Sequence, residues 1–324
     1  MKGSYQIIVQ NSLVQFKLHI ERNITIIRGD SATGKSTLVE MIRQYGLYGD
    51  GSGITLSCKK NCTVLSGLRW KDEIAGIKDS IIFIDEGFNF VSSKEFADVI
   101  SQTDNYYVIA TRETLFCLPY SIKAIYGLKN VTRRSKYQEY DRIYSEFFPL
   151  YNDKIIYQKP GTIIVEDSNA GYEFFSALCN REGICCISAH GKSKVYNEIK
   201  QCTDDIILVI ADGAAFGPEL ERVLSLRKAK NVIYYLPESF EWLILRSGLI
   251  DGMSVQDILK HPYDFIKSEK YFSWERFFFA LLVDETKDTY LKYSKNKLNE
   301  HYLNEKEITA IRAVIDNEIN KTNI

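Results

Sequence analysis

The chain has 324 residues, 45% hydrophobic and 26% charged, a composition typical of globular proteins at a length suited to about two domains. Its 41 lysines and arginines against 42 aspartates and glutamates leave a net charge of −1, which argues against a strongly basic nucleic-acid-binding protein. The longest apolar run, 277–283, is shorter than a membrane span of about 18 residues, and the seven cysteines have no disulfide-framework spacing. We therefore expect a soluble, cytoplasmic protein without membrane contact.

The first half of the chain alternates apolar runs of strand length with segments of helical periodicity. The predicted strands are 6–10 and 14–20, which form a hairpin around Asn11 and Ser12, and then 24–28, 80–84 and 106–110. The predicted helices are 37–45, which stops at Gly46, and 93–101. Because strands that alternate with helices are typical of parallel sheets with covered faces, we predict an α/β domain built on a parallel sheet.

A second alternation follows a polar, charge-dense stretch at 129–142 and a boundary that we place near 150–160. Its predicted strands are 162–165, 184–189, 206–211 and 232–236, and its predicted helices are 170–181, 193–200, 218–226 and 240–246. These elements predict a four-stranded parallel α/β domain. Isoleucines at helical spacing then indicate a helical tail: Ile308, Ile311, Ile315 and Ile319. The predicted parts are 1–155, 160–250 and 251–324.

Residues 29–36, after the third predicted strand, match the phosphate-loop pattern G-x-x-x-x-G-K-[ST] without a mismatch. Glycines permit a loop whose backbone N–H groups point at phosphate oxygens, and the following helix adds the positive end of its dipole. Lys35 would reach the β- and γ-phosphates, and Ser36 would ligate Mg²⁺. An ordinary glycine turn before a helix is the alternative. The candidate nucleotide-binding residues are Gly29, Asp30, Ser31, Ala32, Thr33, Gly34, Lys35, Ser36 and Thr37.

An acidic pair ends the next predicted buried strand. Asp85 would hold Mg²⁺ through water, and Glu86 would orient or deprotonate the attacking water. An apolar strand that ends in two acids is also common for structural reasons. The position of the pair, one to two α/β units after the phosphate loop, favours the catalytic interpretation.

With the motifs GDSATGKST, IIFIDEG and VIATRE, residues 1–150 resemble a compact P-loop ATPase of the glutamate-bearing class, which includes AAA+ and ABC-type ATPases. The resemblance implies that ATP and Mg²⁺ bind here and that Lys35 and Glu86 are catalytic. It also implies that Thr111 senses the γ-phosphate, and it makes Arg112 a candidate charge stabiliser. A strand-end threonine and a solvated arginine are the alternative. No LSGGQ-like signature precedes the acidic pair, which argues against a standard ABC dimer.

Polar residues follow each predicted strand of the second half, at the sheet edge where open parallel sheets bind ligands. The strand-end residues include Glu166, His190, Asp212 and Glu238. Hard oxygen ligands from several strand ends suit Mg²⁺, so Glu166 and Asp212 are candidate metal ligands. The alternative is structural: residues at the ends of buried strands are usually polar because the chain meets water there.

The segments IIVE and GYEFF after the boundary are similar to the opening of TOPRIM domains, the metal-binding modules of topoisomerases, primases and OLD-type nucleases. In those domains the first strand ends in glutamate and a later one ends in Asp-x-Asp, a pattern that Glu166 and Asp212 match in part. Ala214 stands where the second aspartate is expected, which argues against a fully competent two-metal nuclease. Glu238 or Glu241 could substitute as a third ligand.

An ATPase followed by a TOPRIM-like module resembles the domain order of OLD-family and related bacterial anti-phage proteins. This resemblance implies a homo-oligomeric ATPase whose nucleotide state controls a Mg²⁺-dependent nuclease domain that acts on nucleic acid. The alternative is an ATP-gated scaffold or sensor that keeps the TOPRIM-like fold only to dock a partner effector protein. A P-loop small-molecule kinase is a weaker third alternative, because the acidic pair suits water activation and no arginine-rich lid is recognisable.

Overall fold

The structure is a computed structural model that describes residues 1–30, 33–67, 69–131, 142–151, 158–250 and 253–321. The chain divides into two compact units. The first comprises Met1–Tyr151 and Tyr263–Phe272, and the second comprises Asn152–Pro262 and Ser273–Ile324. The segment 251–324, predicted as a helical extension, is thus shared between the two units.

The first unit is built on a large sheet. Its strands are β1 (Tyr5–Gln10), β2 (Val14–Ile20), β3 (Ile24–Ile27), β4 (Thr55–Ser57), β5 (Asn61–Val64), β6 (Ser80–Ile84), β7 (Tyr106–Ala110), β8 (Ile125–Val131) and β9 (Ile143–Pro149). Within the described residues, these nine strands lie in the order β4-β1-β2-β9-β8-β3-β7-β6-β5. The α-helices described in this unit are α1 (Lys35–Tyr48), α2 (Trp70–Gly76) and α3 (Lys94–Ile100).

This sheet is mixed. The neighbouring strands β8, β3, β7, β6 and β5 run parallel, whereas β9 is antiparallel to β8, and β1 is antiparallel to both β2 and β4. The predicted α/β fold and the predicted hairpin of β1 and β2 are confirmed, but the sheet also contains the antiparallel pairs β8–β9 and β1–β4, which were not predicted. The sequence pattern missed β8 and β9 because each is only partly buried and so lacks a continuous apolar run. β8 also ends inside the polar stretch 129–142.

The helix after the phosphate-loop motif is longer than predicted. α1 runs from Lys35 to Tyr48 and therefore passes through Gly46, the predicted stop. Its buried apolar residues are Leu38, Val39, Met41 and Ile42. This packing outweighs the cost of about 1 kcal/mol for a glycine inside a helix. The chain leaves the helix at Gly49, whose φ of +56° lies in the left-handed region.

The second unit contains a smaller sheet with helices around it. Its strands are β10 (Thr162–Val165), β11 (Cys185–Ser188), β12 (Ile206–Ile210) and β13 (Asn231–Tyr235). In the described part of the unit, the four strands are parallel, as predicted, and they lie in the order β11-β10-β12-β13. Its α-helices in the described residues are α4 (Ala170–Glu182), α5 (Val195–Gln201), α6 (Gly217–Leu224), α7 (Phe240–Arg246), α8 (Met253–Lys260), α9 (Trp274–Thr286) and α10 (Glu305–Lys321). Among the helices of both units that the structure describes, none has the length and apolar character needed to cross a bilayer.

The predicted isoleucine stripe of the tail lies on α10 and is buried. Ile311 is fully buried, and Ile308, Ile315 and Ile319 are each less than a tenth exposed. α10 packs against α7. The tail is therefore part of the core of the second unit.

Replacement of Ile311 by alanine tests this packing. Removal of the buried side chain is expected to lower the free energy of unfolding by about 2–5 kcal/mol, because the cavity cannot fully collapse. Lys306→Ala, at an exposed position of the same helix, is the matched control and should change stability by no more than about 0.5 kcal/mol. Urea unfolding followed by circular dichroism measures both. Equal midpoints would contradict the buried stripe.

Candidate functional site

The phosphate-loop motif connects β3 to α1. Ser31 and Ala32, two of its predicted residues, lie outside the described residues. Gly29 and Gly34 have φ values of +148° and +92°, a backbone region that side-chain-bearing residues rarely adopt. A Cβ on Gly34 would also lie 3.3 Å from the ring of Phe16. The backbone conformation of this loop therefore favours glycine at both glycine positions of the motif.

The Lys35 side chain folds back over this loop. It is 4% exposed, and its Nζ donates hydrogen bonds to the carbonyl oxygens of Gly29, at 2.6 Å, and Asp30, at 2.9 Å. Thr33 Oγ1 also donates to the Asp30 carbonyl, at 3.1 Å. Thr37 is exposed on the first turn of α1. A positive charge is thus concentrated over the loop at the start of the helix.

The acidic pair lies beside the loop at the end of β6. Ser36 Oγ donates to Asp85 Oδ1 at 3.2 Å, so a hydroxyl group of the loop contacts the carboxylate that follows β6. The backbone N–H of Glu86 donates to the same Asp85 oxygen at 2.9 Å. These bonds fix the orientation of the Asp85 carboxylate.

Glu86 lies between two cations. Arg112 donates to both Glu86 oxygens, from Nη2 to Oε1 at 2.8 Å and from Nε to Oε2 at 3.2 Å. Lys35 Nζ is 4.0 Å from Glu86 Oε2. Carboxylate, guanidinium and ammonium groups from β6, β7 and α1 therefore meet at the carboxyl edge of the parallel strands.

Thr111 is close to this group, but its hydroxyl is used locally. It accepts the backbone N–H of Glu113 at 2.9 Å and donates to the Glu113 carbonyl at 3.3 Å. The Thr111 N–H extends the sheet by donating to Ile27 O at 3.1 Å. In this arrangement the residue next to Thr111, Arg112, makes the contact with the acidic pair.

A cleft of about 310 Å³ opens beside Glu86 and Arg112. Its walls come from the segments that follow β6 and β7, and they include the apolar side chains of Phe88, Val91 and Leu115. This volume is at the lower end of the range for small-molecule sites. The sequence pattern missed these apolar residues because nothing in their spacing distinguishes them from core.

In the second unit, the predicted ligands Glu166 and Asp212 are neighbours. Glu166 follows β10 and Asp212 follows the adjacent strand β12, and the Asp212 N–H donates to Glu166 Oε2 at 3.3 Å. The N–H of Phe240, at the start of α7, donates to Asp212 Oδ1 at 3.2 Å. A cavity lined by both carboxylates measures about 10 Å³, which is room for one water molecule at most.

Three further charged residues complete this site. Lys295 Nζ forms an ion pair with Glu275 Oε1 at 2.7 Å, and both side chains are at least partly buried. Glu241 is 1% exposed and accepts a hydrogen bond from the Tyr293 hydroxyl at 2.9 Å. Sequence reasoning considered Glu241 as a substitute ligand but missed Glu275 and Lys295, which carry no local motif.

Burial and mutual repulsion raise the proton affinity of this site. Burial, assisted by the charge of Glu275, raises the pKa of Glu166 to about 7, although the Asp212 N–H and Lys192 oppose the shift. Burial and the neighbouring acids also raise the pKa of Asp212 well above its ordinary range. For Lys295, burial opposes the charged form, but the charges of Glu275, Glu241 and Asp212 outweigh it and raise the pKa.

These residues do not fit a magnesium centre. Within the described ranges, no group of three or more His, Cys, Asp or Glu side chains is arranged to hold a metal ion. Ala214, at the position where TOPRIM domains have a second aspartate, is 2% exposed, so no carboxylate is supplied from there. A Mg²⁺ held by one or two carboxylates would also need several water ligands, and the cavity of about 10 Å³ has room for one water at most.

No protein-family model matches this chain, and no curated protein is significantly similar to it. The resemblances to P-loop ATPases and TOPRIM domains are therefore carried by local motifs. Any proposed function must follow from the geometry of the two sites.

The raised pKa of Glu166 predicts how stability depends on pH. The folded chain holds the Glu166 proton up to about pH 7, whereas the unfolded chain releases it near its ordinary pKa of 4.5. Stability from this group is therefore complete below pH 4.5 and is lost as the pH rises to about 7. Glu166→Gln removes the titrating group, so the unfolding temperature should fall less across this window than in wild type.

The exposed Glu300 offers a matched control, and Glu300→Gln should retain the wild-type dependence on pH. Differential scanning calorimetry at steps between pH 4.5 and pH 7 measures the three proteins. Parallel curves for wild type and Glu166→Gln would contradict the raised pKa.

Proposed function

We propose that the first unit binds and hydrolyses ATP with Mg²⁺, as a P-loop ATPase of the glutamate-bearing class. The observation that carries this proposal is the meeting of Ser36 with Asp85, at 3.2 Å, and of Lys35 with Glu86, at 4.0 Å. Four groups from different parts of the chain therefore meet. They are a lysine suited to phosphate, a hydroxyl and a carboxylate suited to a metal ion, and a candidate base.

The strand order supports this proposal. β3, β7 and β6 are parallel neighbours, so their carboxyl ends lie at one edge of the sheet. Ligands of open α/β sheets bind at that edge. β3 delivers the loop, β6 delivers the acidic pair and β7 delivers Arg112.

The loop residues would bind the triphosphate. Backbone N–H groups at the start of α1 and the helix dipole favour negative charge. Lys35, whose ammonium already lies over the loop, would pair with phosphate oxygens. The two glycines, in backbone conformations that favour glycine, keep side chains away from this surface.

The Ser36 hydroxyl and the Asp85 carboxylate fit Mg²⁺, because this ion usually takes only one or two protein carboxylates and completes its shell with phosphates and water. When bound, Mg²⁺ would neutralise charge on the phosphates. The contact of Asp85 with the Glu86 N–H holds the carboxylate at the edge of the site.

Glu86 would accept a proton from the attacking water, and Arg112 would orient its carboxylate. The two hydrogen bonds from Arg112 engage both Glu86 oxygens, which limits rotation of the side chain. Hydrolysis then yields ADP and inorganic phosphate, with the water proton taken up by Glu86.

For the second unit, the four-stranded parallel sheet and the Glu166–Asp212 contact support a TOPRIM-like domain, and the domain order supports a place among OLD-related anti-phage proteins. The charged residues around the contact favour the alternative role over the nuclease. Lys295 is paired inside the carboxylate group, and the cavity there is about 10 Å³. The unit would then act as an ATP-gated scaffold or sensor that docks a partner effector protein.

Lys35→Ala tests nucleotide binding. Loss of the ammonium is expected to weaken ATP binding and to lower the hydrolysis rate by at least about a hundredfold, since a preorganised charge at the phosphates is removed. Lys17→Ala, at an exposed position of β2, is the matched control and should retain wild-type values. Calorimetric titration with ATP and with GTP, together with phosphate release, measures the effect. Unchanged hydrolysis in Lys35→Ala would refute the assignment.

Glu86→Gln separates binding from chemistry. The amide keeps the shape of the side chain but cannot accept the proton of water, so ATP should still bind while turnover falls by about 10²- to 10⁴-fold. Glu95→Gln, on the surface of α3, is the control for loss of an acid. A Glu86→Gln variant that hydrolyses ATP at the wild-type rate would exclude Glu86 as the base.

A further inference from the structure

The second unit holds a compact group of four carboxylates and one ammonium. We define the acidic cluster as Glu166, Asp212, Glu241 and Glu275. Asp212 lies within electrostatic range of the other three carboxylates and of Lys295. Four acids so close together repel one another unless some of them are protonated or a cation is present.

Lys295 is held in the cluster by its side chain and by its backbone. Its Nζ donates to Glu275 Oε1 at 2.7 Å, and its carbonyl accepts the N–H of Ala170, at the start of α4, at 3.2 Å. Two residues earlier, Tyr293 donates its hydroxyl to Glu241. The segment that carries the lysine is therefore anchored to two sides of the cluster.

Glu241 shows how the cation acts on a buried acid whose pKa is raised by burial. Its side chain is almost fully buried, and its Oε2 has no hydrogen-bond partner within the described part of the chain. A buried carboxylate with an open oxygen is costly unless a positive charge compensates it. Among the influences on Glu241, the charge of Lys295 is the main one that favours the ionised form.

The other carboxylates are already engaged by groups of the protein. Glu166 accepts the N–H of Asp212, Asp212 accepts the N–H of Phe240, and Glu275 accepts the ammonium of Lys295. A divalent ion at this place would have to displace these donors and tolerate the lysine charge at close range.

We infer that Lys295 is the built-in cation of the acidic cluster, so that the native second unit takes no divalent metal there. Lys295 acts as a positioning residue that compensates part of the carboxylate charge and links α9, through Glu275, to the start of α4. Removal of its charge should raise the affinity of the cluster for a divalent cation. This inference goes beyond ATP hydrolysis and does not depend on it.

The test uses the full chain without nucleotide and with Mn²⁺ as the probe, measured by electron paramagnetic resonance. All proteins carry Asp85→Asn, which removes the carboxylate proposed to hold Mg²⁺ in the first unit. In this parent, a further Asp212→Asn substitution is expected to leave Mn²⁺ binding unchanged. Mn²⁺ binding by the parent that Asp212→Asn abolishes would overturn the inference.

Lys295→Met in the same background is expected to lower the Kd for Mn²⁺ by at least about tenfold, because one positive charge is lost from the cluster. Addition of Asp212→Asn should remove this gain. Lys295→Arg keeps the charge and is the matched control, which should behave like the parent. A folded Lys295→Met protein, by circular dichroism, that binds Mn²⁺ no better than Lys295→Arg would refute the inference. If Lys295→Met does not fold, the parent and its Asp212→Asn variant decide the question.

Discussion

The contact between Ser36 and Asp85 is the constraint on which the candidate site of the first unit depends. β3 and β6 are separated by β7, so their ends are about 10 Å apart at ordinary strand spacing. The loop and the acidic pair can meet only if the end of β7 does not block them. β7 ends in Ala110, a small buried residue, and the chain then turns at Thr111, whose hydroxyl is bonded to Glu113. The inserted strand thus leaves space above itself and contributes Arg112 at the side.

Charge compensation follows different routes in the two units. In the first, Lys35 is 4% exposed and lies over the loop, whereas Arg112, paired with Glu86 at the sheet edge, is more than half exposed. In the second, Lys295 is paired within the acidic cluster, and its side chain is 35% exposed. An exposed cation can exchange its partner at low cost, whereas a buried pair is costly to break. Arg112 can therefore exchange its partner for a charged ligand at low cost, as the ATPase proposed for the first unit requires.

The sequence pattern predicted the strands with continuous apolar runs and the alternating strands β1 and β2, and it missed β4, β5, β8 and β9. β6, β7, β10 and β12 are continuous apolar runs because helices or neighbouring strands cover them, and their bounds were predicted within a residue. β8 and β9 have one partly exposed face, and their polar residues resemble a linker. The end of α1 was missed for another reason, since packing of its buried face overrides the helix-breaking tendency of Gly46.

The site residues, like the strands, were predictable only where a local sequence pattern carries them. Lys35, Ser36 and Asp85 were predictable because contiguous motifs carry them and because parallel strands bring their ends together. The rule that locates ligands at strand ends identified Glu166 and Asp212 in the same way, and both are neighbours in the structure. It could not identify the compensating charge, because Lys295 comes from a loop of the helical tail with no strand before it. Carboxylates at strand ends therefore indicate that a positive charge lies nearby. Tertiary packing decides whether a metal ion or a lysine provides that charge.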